Sequence, residues 1–224
     1  MEKNFIPSQE AKNQKQEKWD TIAQQVDRIT DGLGKKVDKN IKETVIAIQA
    51  NDFGTLSSCE GHFGWGHPYP WVDVASQKAR EHNNSNSEYW KKQKIVLKHL
   101  KETDNKPPKE DDDWYEDYAF VREEFIKARE ENKIAMAAFQ ALLDEFYTTH
   151  EPPTPHAKLI LDPATLLEAR LQPASGKKNG RANWAIYEEN MAALNPAQKE
   201  ILFEICRDEM KAFTEFLKNK FFAE

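Results

Sequence analysis

The sequence predicts a helix-rich α/β (α+β) fold in which a small sheet is flanked by helices and carries an inserted long helical hairpin. Three observations predict this class. Apolar residues recur every three or four positions in several segments, as on one face of an amphipathic helix. Four short segments have the alternation of strands. The longest helical segment lies between the second and third of these strands, so the chain leaves the sheet and later returns to it.

Two amphipathic helices are expected before the first strand. Residues 1–14 are polar and unpatterned, so we expect a flexible N-terminus. Glycines at 32 and 34 end the first helix, and the side chain of Asp38 can cap the second. The apolar faces of the two helices comprise Trp19, Ile22, Val26 and Ile29 in the first, and Ile41, Val45 and Ile48 in the second.

The strands are expected at about residues 53–57, 70–75, 157–162 and 168–173. Glycine and proline dominate the connection between the first two strands, which therefore cannot be regular. After the fourth strand the pattern predicts a basic loop, a short helix at residues 184–191 and a last helix. Asparagine favours a helix N-cap and proline the first helical position, so Asn195 starts this last helix.

A helical hairpin is predicted at about residues 77–150, inserted into a single domain that spans residues 15–224. Its first helix covers residues 89–101 and its second residues 114–147, and adjacent prolines separate them. Helices joined by a short connection usually pair antiparallel. The second helix has a heptad-like apolar stripe with Asn132 as its polar break. The stripe comprises Tyr118, Val121, Phe125, Ala128, Ala135, Phe139, Leu142 and Phe146.

Composition limits the function classes. The net charge of −6 disfavours a broad nucleic-acid surface, although a local basic groove remains compatible with it. It also disfavours binding to an anionic membrane surface. Two distant cysteines do not make a disulfide scaffold, and residues 1–14 contain no apolar signal core. We therefore expect a cytoplasmic protein with no membrane partner, while its oligomeric state stays open.

Residues 57–62, Ser-Ser-Cys-Glu-Gly-His, concentrate the chemistry of the chain. Thiol, imidazole and carboxylate groups ligate metals or transfer protons near neutral pH. The candidate catalytic residues are therefore Cys59, Glu60 and His62. Gly61 permits a tight turn whose backbone amides can cradle an anion. The candidate ligand-binding residues are Ser57, Ser58, Gly61, Trp65, His67 and Tyr69.

Three chemical uses of this segment stay open, and the leading one is binding of a small anionic or nucleotide-like ligand. A second is a metal site, with zinc as the candidate ion, formed by Cys59, His62, His67 and Asp73. A third is a Cys59 nucleophile with a histidine base. A purely structural interpretation competes with all three, because free cysteines are often buried and serines often cap turns.

Two further assignments depend on neighbouring segments. Trp65, Tyr69 and Trp71 form either an aromatic wall for a ring-shaped ligand or a set of core anchors. His150 and His156 lie in a proline-rich connection and are expected to have no role. A non-enzymatic alternative assigns the helical hairpin to an interaction module that docks a partner or a second copy.

Residues 36–75 resemble a group of bacterial proteins in which an amphipathic helix leads to a strand and a T-x-x-SCEGH loop. The same stretch is more distantly similar to the wybutosine-synthesising tRNA methyltransferase family, whose loop has the pattern S-S-C-S-G-R. Ser57, Ser58, Cys59 and Gly61 match that pattern, whereas Glu60 stands in place of serine and His62 in place of arginine. The resemblance implies a related fold. The lost arginine disfavours tRNA modification, so the ligand and the reaction, if one occurs, stay undefined.

Overall fold

The computed structural model describes residues 9–30, 33–62, 69–174, 177–178, 181–182 and 194–223. Along the described chain the order of elements confirms a helix-rich α+β fold with a small antiparallel sheet. The elements are α1 (Gln9–Arg28), α2 (Lys39–Ala50), β1 (Gly54–Cys59), β2 (Trp71–Ala75), α3 (Gln77–His82), α4 (Glu88–Glu102), α5 (Tyr115–Thr149), β3 (Leu159–Pro163), β4 (Ala169–Pro173), β5 (Lys177–Lys178), β6 (Arg181–Ala182) and α6 (Pro196–Ala223).

The sheet has the strand order β1-β2-β4-β3, and all of its neighbours are antiparallel. All four predicted strands are present, but β1 extends two residues further than expected. After an irregularity between Thr55 and Ser58, the pairs Ser58↔Val72 and Cys59↔Trp71 continue the ladder. Ser57, Ser58 and Cys59 are therefore strand residues, and residues 60–62 are the part of the predicted segment 57–62 that follows the strand. The short β5 and β6 pair separately, where a basic loop was expected.

One face of the sheet packs against α2, α5 and α6 and forms the main core. Aromatic rings fill the space between the layers: the Phe139 ring meets Phe53 with centroids 5.0 Å apart and Phe213 at 5.9 Å. Such edge-to-face contacts add to the free energy of burial. The predicted apolar face of α2 is confirmed, since its members are buried in this cluster. Core members include Ile41, Val45, Ile48, Val72, Val74, Leu171 and Leu217.

The inserted hairpin is formed by α4 and α5. Its two helices are joined by the stacking of His99 on Trp114, with ring centroids 5.2 Å apart, and by an ion pair between Lys92 and Asp117. The 35 residues of α5 span about 50 Å, so the helix reaches beyond the sheet. The second half of the predicted stripe, from Ala135 to Phe146, packs in the main core. In the first half, Tyr118, Val121 and Phe125 are half-buried.

Buried polar groups explain two features that the sequence pattern left open. Asn132, the polar break in α5, accepts a hydrogen bond from the Ser76 backbone N–H at 2.9 Å. The Ser76 hydroxyl in turn accepts from the Ala79 N–H and caps α3, a helix that was not predicted.

Helix α1 begins at Gln9, inside the expected flexible segment. At the other end of the chain, Asn195 caps α6 as predicted, accepting from the Gln198 N–H at 3.0 Å.

A buried carboxylate joins α6 to the end of α5. Glu209 is 1% exposed, and its two oxygens contact Tyr147 Oη at 2.7 Å and His150 Nε2 at 2.9 Å. Tyr147 Oη also accepts the Leu159 N–H, and burial raises the pKa of Tyr147. This network offsets the cost of burying the carboxylate. His150 therefore has a structural contact that the sequence did not predict, because chain folding brings Glu209 beside it from a distant segment.

The predicted helix at residues 184–191 lies outside the described residues. Among the described helices, none has the length and apolar character needed to cross a membrane.

His82 is a buried histidine without hydrogen bonds from its ring. It is 4% exposed, and neither ring nitrogen has a hydrogen-bond partner among the described residues. The ring stacks on Tyr89 with centroids 3.8 Å apart, and its Nε2 lies 3.7 Å from a Glu124 oxygen. Burial is the main cause that lowers the pKa of His82 from its usual 6.5, and the positive charge of Lys78 lowers it further. The negative charge of Glu124 opposes this shift.

This environment predicts that acid weakens the fold through His82. Because the pKa of the folded state is depressed, the neutral ring stabilises the fold above the ordinary pKa, and this stability is lost as the pH falls. The His82→Phe variant keeps the stacked ring and removes the unpaired nitrogens. We expect its free energy of unfolding in urea to exceed that of the wild type by about 1 kcal/mol at neutral pH.

The advantage of His82→Phe is expected to grow between about pH 7.5 and pH 5, where histidine titrates. His156→Phe, at an exposed position, serves as the control and is expected to follow the wild-type pH dependence. Equal pH slopes for wild type and His82→Phe would contradict this prediction.

Candidate functional site

The turn after β1 brings the predicted site residues to the N-terminus of α2. Gly61 has φ +80°, a left-handed conformation that glycine adopts without steric cost. The Asn40 N–H, in the first turn of α2, donates to Glu60 Oε2 at 3.0 Å. In the other direction, the Glu60 N–H donates to Asp38 Oδ2 at 3.3 Å. A carboxylate of the turn thus accepts a hydrogen bond from the helix, and the carboxylate before the helix accepts one from the turn. We call this reciprocal pair of hydrogen bonds the carboxylate exchange.

This exchange corrects the expected cap of α2. Asp38 occupies the N-cap position, but its side chain makes no capping hydrogen bond to the helix. Glu60 provides the carboxylate for the free N–H groups instead, where negative charge is favoured by the helix dipole. The carboxylate predicted to be catalytic therefore holds the turn in place, and its oxygen is already engaged.

Arg207 of α6 fixes the turn from the opposite side. Its Nε donates to the Glu60 carbonyl at 3.3 Å, and its Nη2 donates to the Gly61 carbonyl at 3.2 Å. The guanidinium lies 4.0 Å from the centroid of the Phe203 ring, a cation–π contact that orients it. Since the Gly61 N–H donates to Cys59 Sγ at 3.4 Å, the peptide between Glu60 and Gly61 is held at both of its polar atoms.

Three potential metal ligands converge at this turn. One ligand atom each from Asp38, Cys59 and His62 lies within 4.8 Å of the other two, and all three residues are half-buried. His62 Nε2 lies 3.7 Å from Asp38 Oδ2. Two of the predicted ligands, Cys59 and His62, are therefore brought together, and the third member of the group is Asp38.

Asp73 is placed away from this group. Its carboxylate forms a bidentate ion pair with Arg170, with distances of 2.7 and 3.0 Å, and accepts the Ser57 hydroxyl at 2.5 Å. Strand alternation sends Asp73 to the face where its cross-strand neighbour is Arg170. The carboxylate is thereby satisfied, so the structure does not bring Asp73 to the predicted metal site.

Burial raises the pKa of the Cys59 thiol, and the nearby negative charges of Asp38 and Glu60 raise it further. The hydrogen bond from the Gly61 N–H lowers the pKa of the thiol, but its effect is smaller than that of burial. A thiol with a raised pKa stays protonated at neutral pH and is a weak nucleophile. This environment disfavours the hypothesis that Cys59 attacks a substrate.

The aromatic wall is not formed by Tyr69. This residue is 2% exposed and packs with Ala157 and Cys206 in a small second core, so little of its surface can reach a ligand. The other two predicted ligand-binding residues of this stretch, Trp65 and His67, lie outside the described residues.

A cleft of about 460 Å³ opens beside the turn. It lies between β1 and the connection from α1 to α2, where Thr30 and Lys36 form an isolated bridge. Asp38 and His62 lie on its border, next to the ligand group. The further lining residues are polar or cationic at Thr30, Lys35, Lys36, Thr55, Ser57 and Ser58, and apolar at Ile29, Val37, Val45 and Leu56.

Sequence reasoning missed the two lysines of this cleft, the position of Asp38 beside Cys59 and His62, and the contacts of Arg207 with the turn. Lys36 and Asp38 lie within the segment compared with the bacterial pattern, but Asp38 was interpreted as a helix cap and Lys36 was assigned no role. Arg207 is 147 residues from Glu60 in the chain, and it lies on the predicted last helix without any distinguishing local pattern.

We compared the chain with models of protein families, with curated proteins and with solved structures, and none of the three comparisons finds a match.

The exchange of carboxylates predicts a loss of stability when Glu60 is truncated. Glu60→Ala leaves the Asn40 N–H without its acceptor, and we expect the free energy of unfolding to fall by about 1 kcal/mol, as for a lost helix cap. Glu60→Gln keeps an acceptor oxygen and is expected to lose less. Chemical denaturation measures both, with Glu200→Ala on the exposed face of α6 as the control.

The Glu60 prediction is wrong if the Glu60→Ala and Glu200→Ala variants have the same stability.

Proposed function

We propose that the protein binds a small anionic ligand in the cleft beside the turn after β1. The observation that carries this proposal is the composition of the cleft wall. Two lysines, Lys35 and Lys36, share it with the His62 ring and with the hydroxyl groups of Thr55 and Ser58. Ammonium, imidazole and hydroxyl groups are the donors that recognise phosphate and carboxylate.

The dimensions of the cleft suit a small molecule. Its volume of about 460 Å³ lies within the roughly 300–1,000 Å³ range of small-molecule pockets. The floor is provided by β1, which pairs with β2 at Gly54, Thr55, Ser58 and Cys59. Thr55 and Ser58 thus lie at paired positions, and hydroxyl donors held in place lower the entropy lost on binding. The exposed lysines on the other wall supply long-range attraction for an anion.

His62 is the group best placed to exchange protons with the ligand. It borders the cleft, and its Nε2 lies 3.7 Å from Asp38 Oδ2. Glu60, in contrast, serves the helix terminus. If a reaction occurs, we propose His62 as its acid or base and the cleft hydroxyls as the positioning groups. The binding step itself does not depend on this assignment.

The alternative of an interaction module stays a prediction. Phe139 and Phe146 of the α5 stripe lie in the core, whereas Val121 and Phe125 are half-buried. The resemblance to the tRNA-modifying family stays a prediction, and an anionic ligand is compatible with it.

The proposal predicts that cleft variants lose affinity for anions without losing stability. Inorganic phosphate and pyrophosphate are the probes, titrated by calorimetry into the full chain in the presence of a metal chelator. Lys36→Ala and Ser58→Ala are each expected to weaken binding about tenfold, the typical effect of one hydrogen bond to a charged group. Their melting temperatures should match the wild type, because Lys36 is exposed and Ser58 half-buried.

Lys106→Ala, at an exposed position in the hairpin, is the control and should bind both probes as the wild type does. If the wild type binds neither probe, or if Lys36→Ala and Lys106→Ala bind equally well, the proposed function is wrong.

A further inference from the structure

We infer that Asp38, Cys59 and His62 form a three-ligand site for one zinc-class divalent cation, with its remaining position open to the cleft. The inference rests on the proposed function, because it places the ion at the border of the anion-binding cleft and makes the ion part of it. The three ligand atoms lie within 4.8 Å of one another, and two of the three residues line the cleft.

The chemistry of the three side chains favours zinc. Thiolate, imidazole and carboxylate are all zinc ligands, and a hard cation such as magnesium does not favour the sulfur. Bond lengths of about 2.0–2.3 Å place neighbouring ligand atoms roughly 3–4 Å apart in a tetrahedral shell. The 3.7 Å between His62 Nε2 and Asp38 Oδ2 is already in that range. Small side-chain rotations suffice for the other pairs.

Hydrogen bonds from backbone N–H groups orient two of the three ligand atoms. The Glu60 N–H donates to Asp38 Oδ2, and the Gly61 N–H donates to Cys59 Sγ. Such contacts orient metal ligands and are worth about 10–100-fold in affinity. Arg207 holds the carbonyls of the same turn, so the N–H groups keep their direction. The turn is therefore organised before an ion binds.

Electrostatics link the ion to the anion. Asp38 is the one carboxylate among the described residues that line the cleft, and its charge repels an anionic ligand. A divalent cation bound to Asp38 changes the charge at this side of the cleft from negative to positive. It also stabilises the Cys59 thiolate, since a coordinating thiol loses its proton. The anion can then occupy the open coordination position, as substrates do at zinc sites with three protein ligands.

The test is a zinc titration of the full chain after removal of metals by a chelator. Equilibrium dialysis is expected to give one zinc per chain. Replacing zinc with Co²⁺ should produce a sulfur-to-cobalt charge-transfer absorption, which reports the thiolate directly. Asp38→Asn, Cys59→Ser and His62→Ala are each expected to lower zinc affinity by more than about 100-fold, the upper effect of removing an outer contact.

Matched controls exist for each ligand. Cys206→Ala removes the other cysteine, and His156→Ala and Asp111→Asn change exposed residues of the same types. All three are expected to bind zinc as the wild type does. Circular dichroism of every variant establishes that the fold is retained.

Phosphate titration with and without zinc separates this inference from the proposed function. The inference expects zinc to tighten phosphate binding at least tenfold in the wild type and to have no such effect in Cys59→Ser. If the wild type binds phosphate in chelator but takes up no zinc, the metal inference is overturned and the proposed function stands. If zinc binds but leaves phosphate affinity unchanged, the inference that a coordination position is open to the anion is overturned. If zinc binds and phosphate never does, the proposed function fails on its own.

Discussion

The structure of the candidate site depends on one exchange of hydrogen bonds between the turn after β1 and the start of α2. Glu60 accepts from the first turn of the helix, and Asp38 accepts from the Glu60 N–H. Moving either carboxylate would leave a backbone donor without its acceptor in the protein, at the Asn40 N–H in one case and at the Glu60 N–H in the other. Arg207 completes the arrangement from α6, which is 147 residues away in the chain from Glu60.

This constraint gives the reactive residues distinct tasks. Glu60 is held by the helix and shapes the turn, whereas His62 and Asp38 face the cleft. Cys59 ends β1 and points its sulfur to the Gly61 N–H, in surroundings that keep the thiol protonated without a cation. The Ser57 hydroxyl donates to Asp73, whose carboxylate is also paired with Arg170. Ser57 therefore lines the cleft and contacts the structural ion pair as well.

Periodicity was sufficient to predict the fold class, because the core faces of α2 and the strands depend on local patterns. The segment that carries the site could also be predicted, since reactive residue types cluster in it. The geometry of that site could not. Whether Asp38 caps its own helix or Glu60 does so depends on tertiary contacts, and the side of the sheet that Asp73 faces depends on register. Arg207 reaches the turn only through packing of α6, and no local signal predicts that.

Backbone hydrogen exchange measured by nuclear magnetic resonance tests the central claim most directly. If the turn is held by Asp38, Cys59 and Arg207, the amide protons of Glu60 and Gly61 exchange slowly although they lie in a loop. Their protection should fall in Arg207→Lys, which cannot reach both carbonyls with a planar fork. Exchange of both amides at the rate of an unstructured peptide in the wild-type protein would contradict this account of the site.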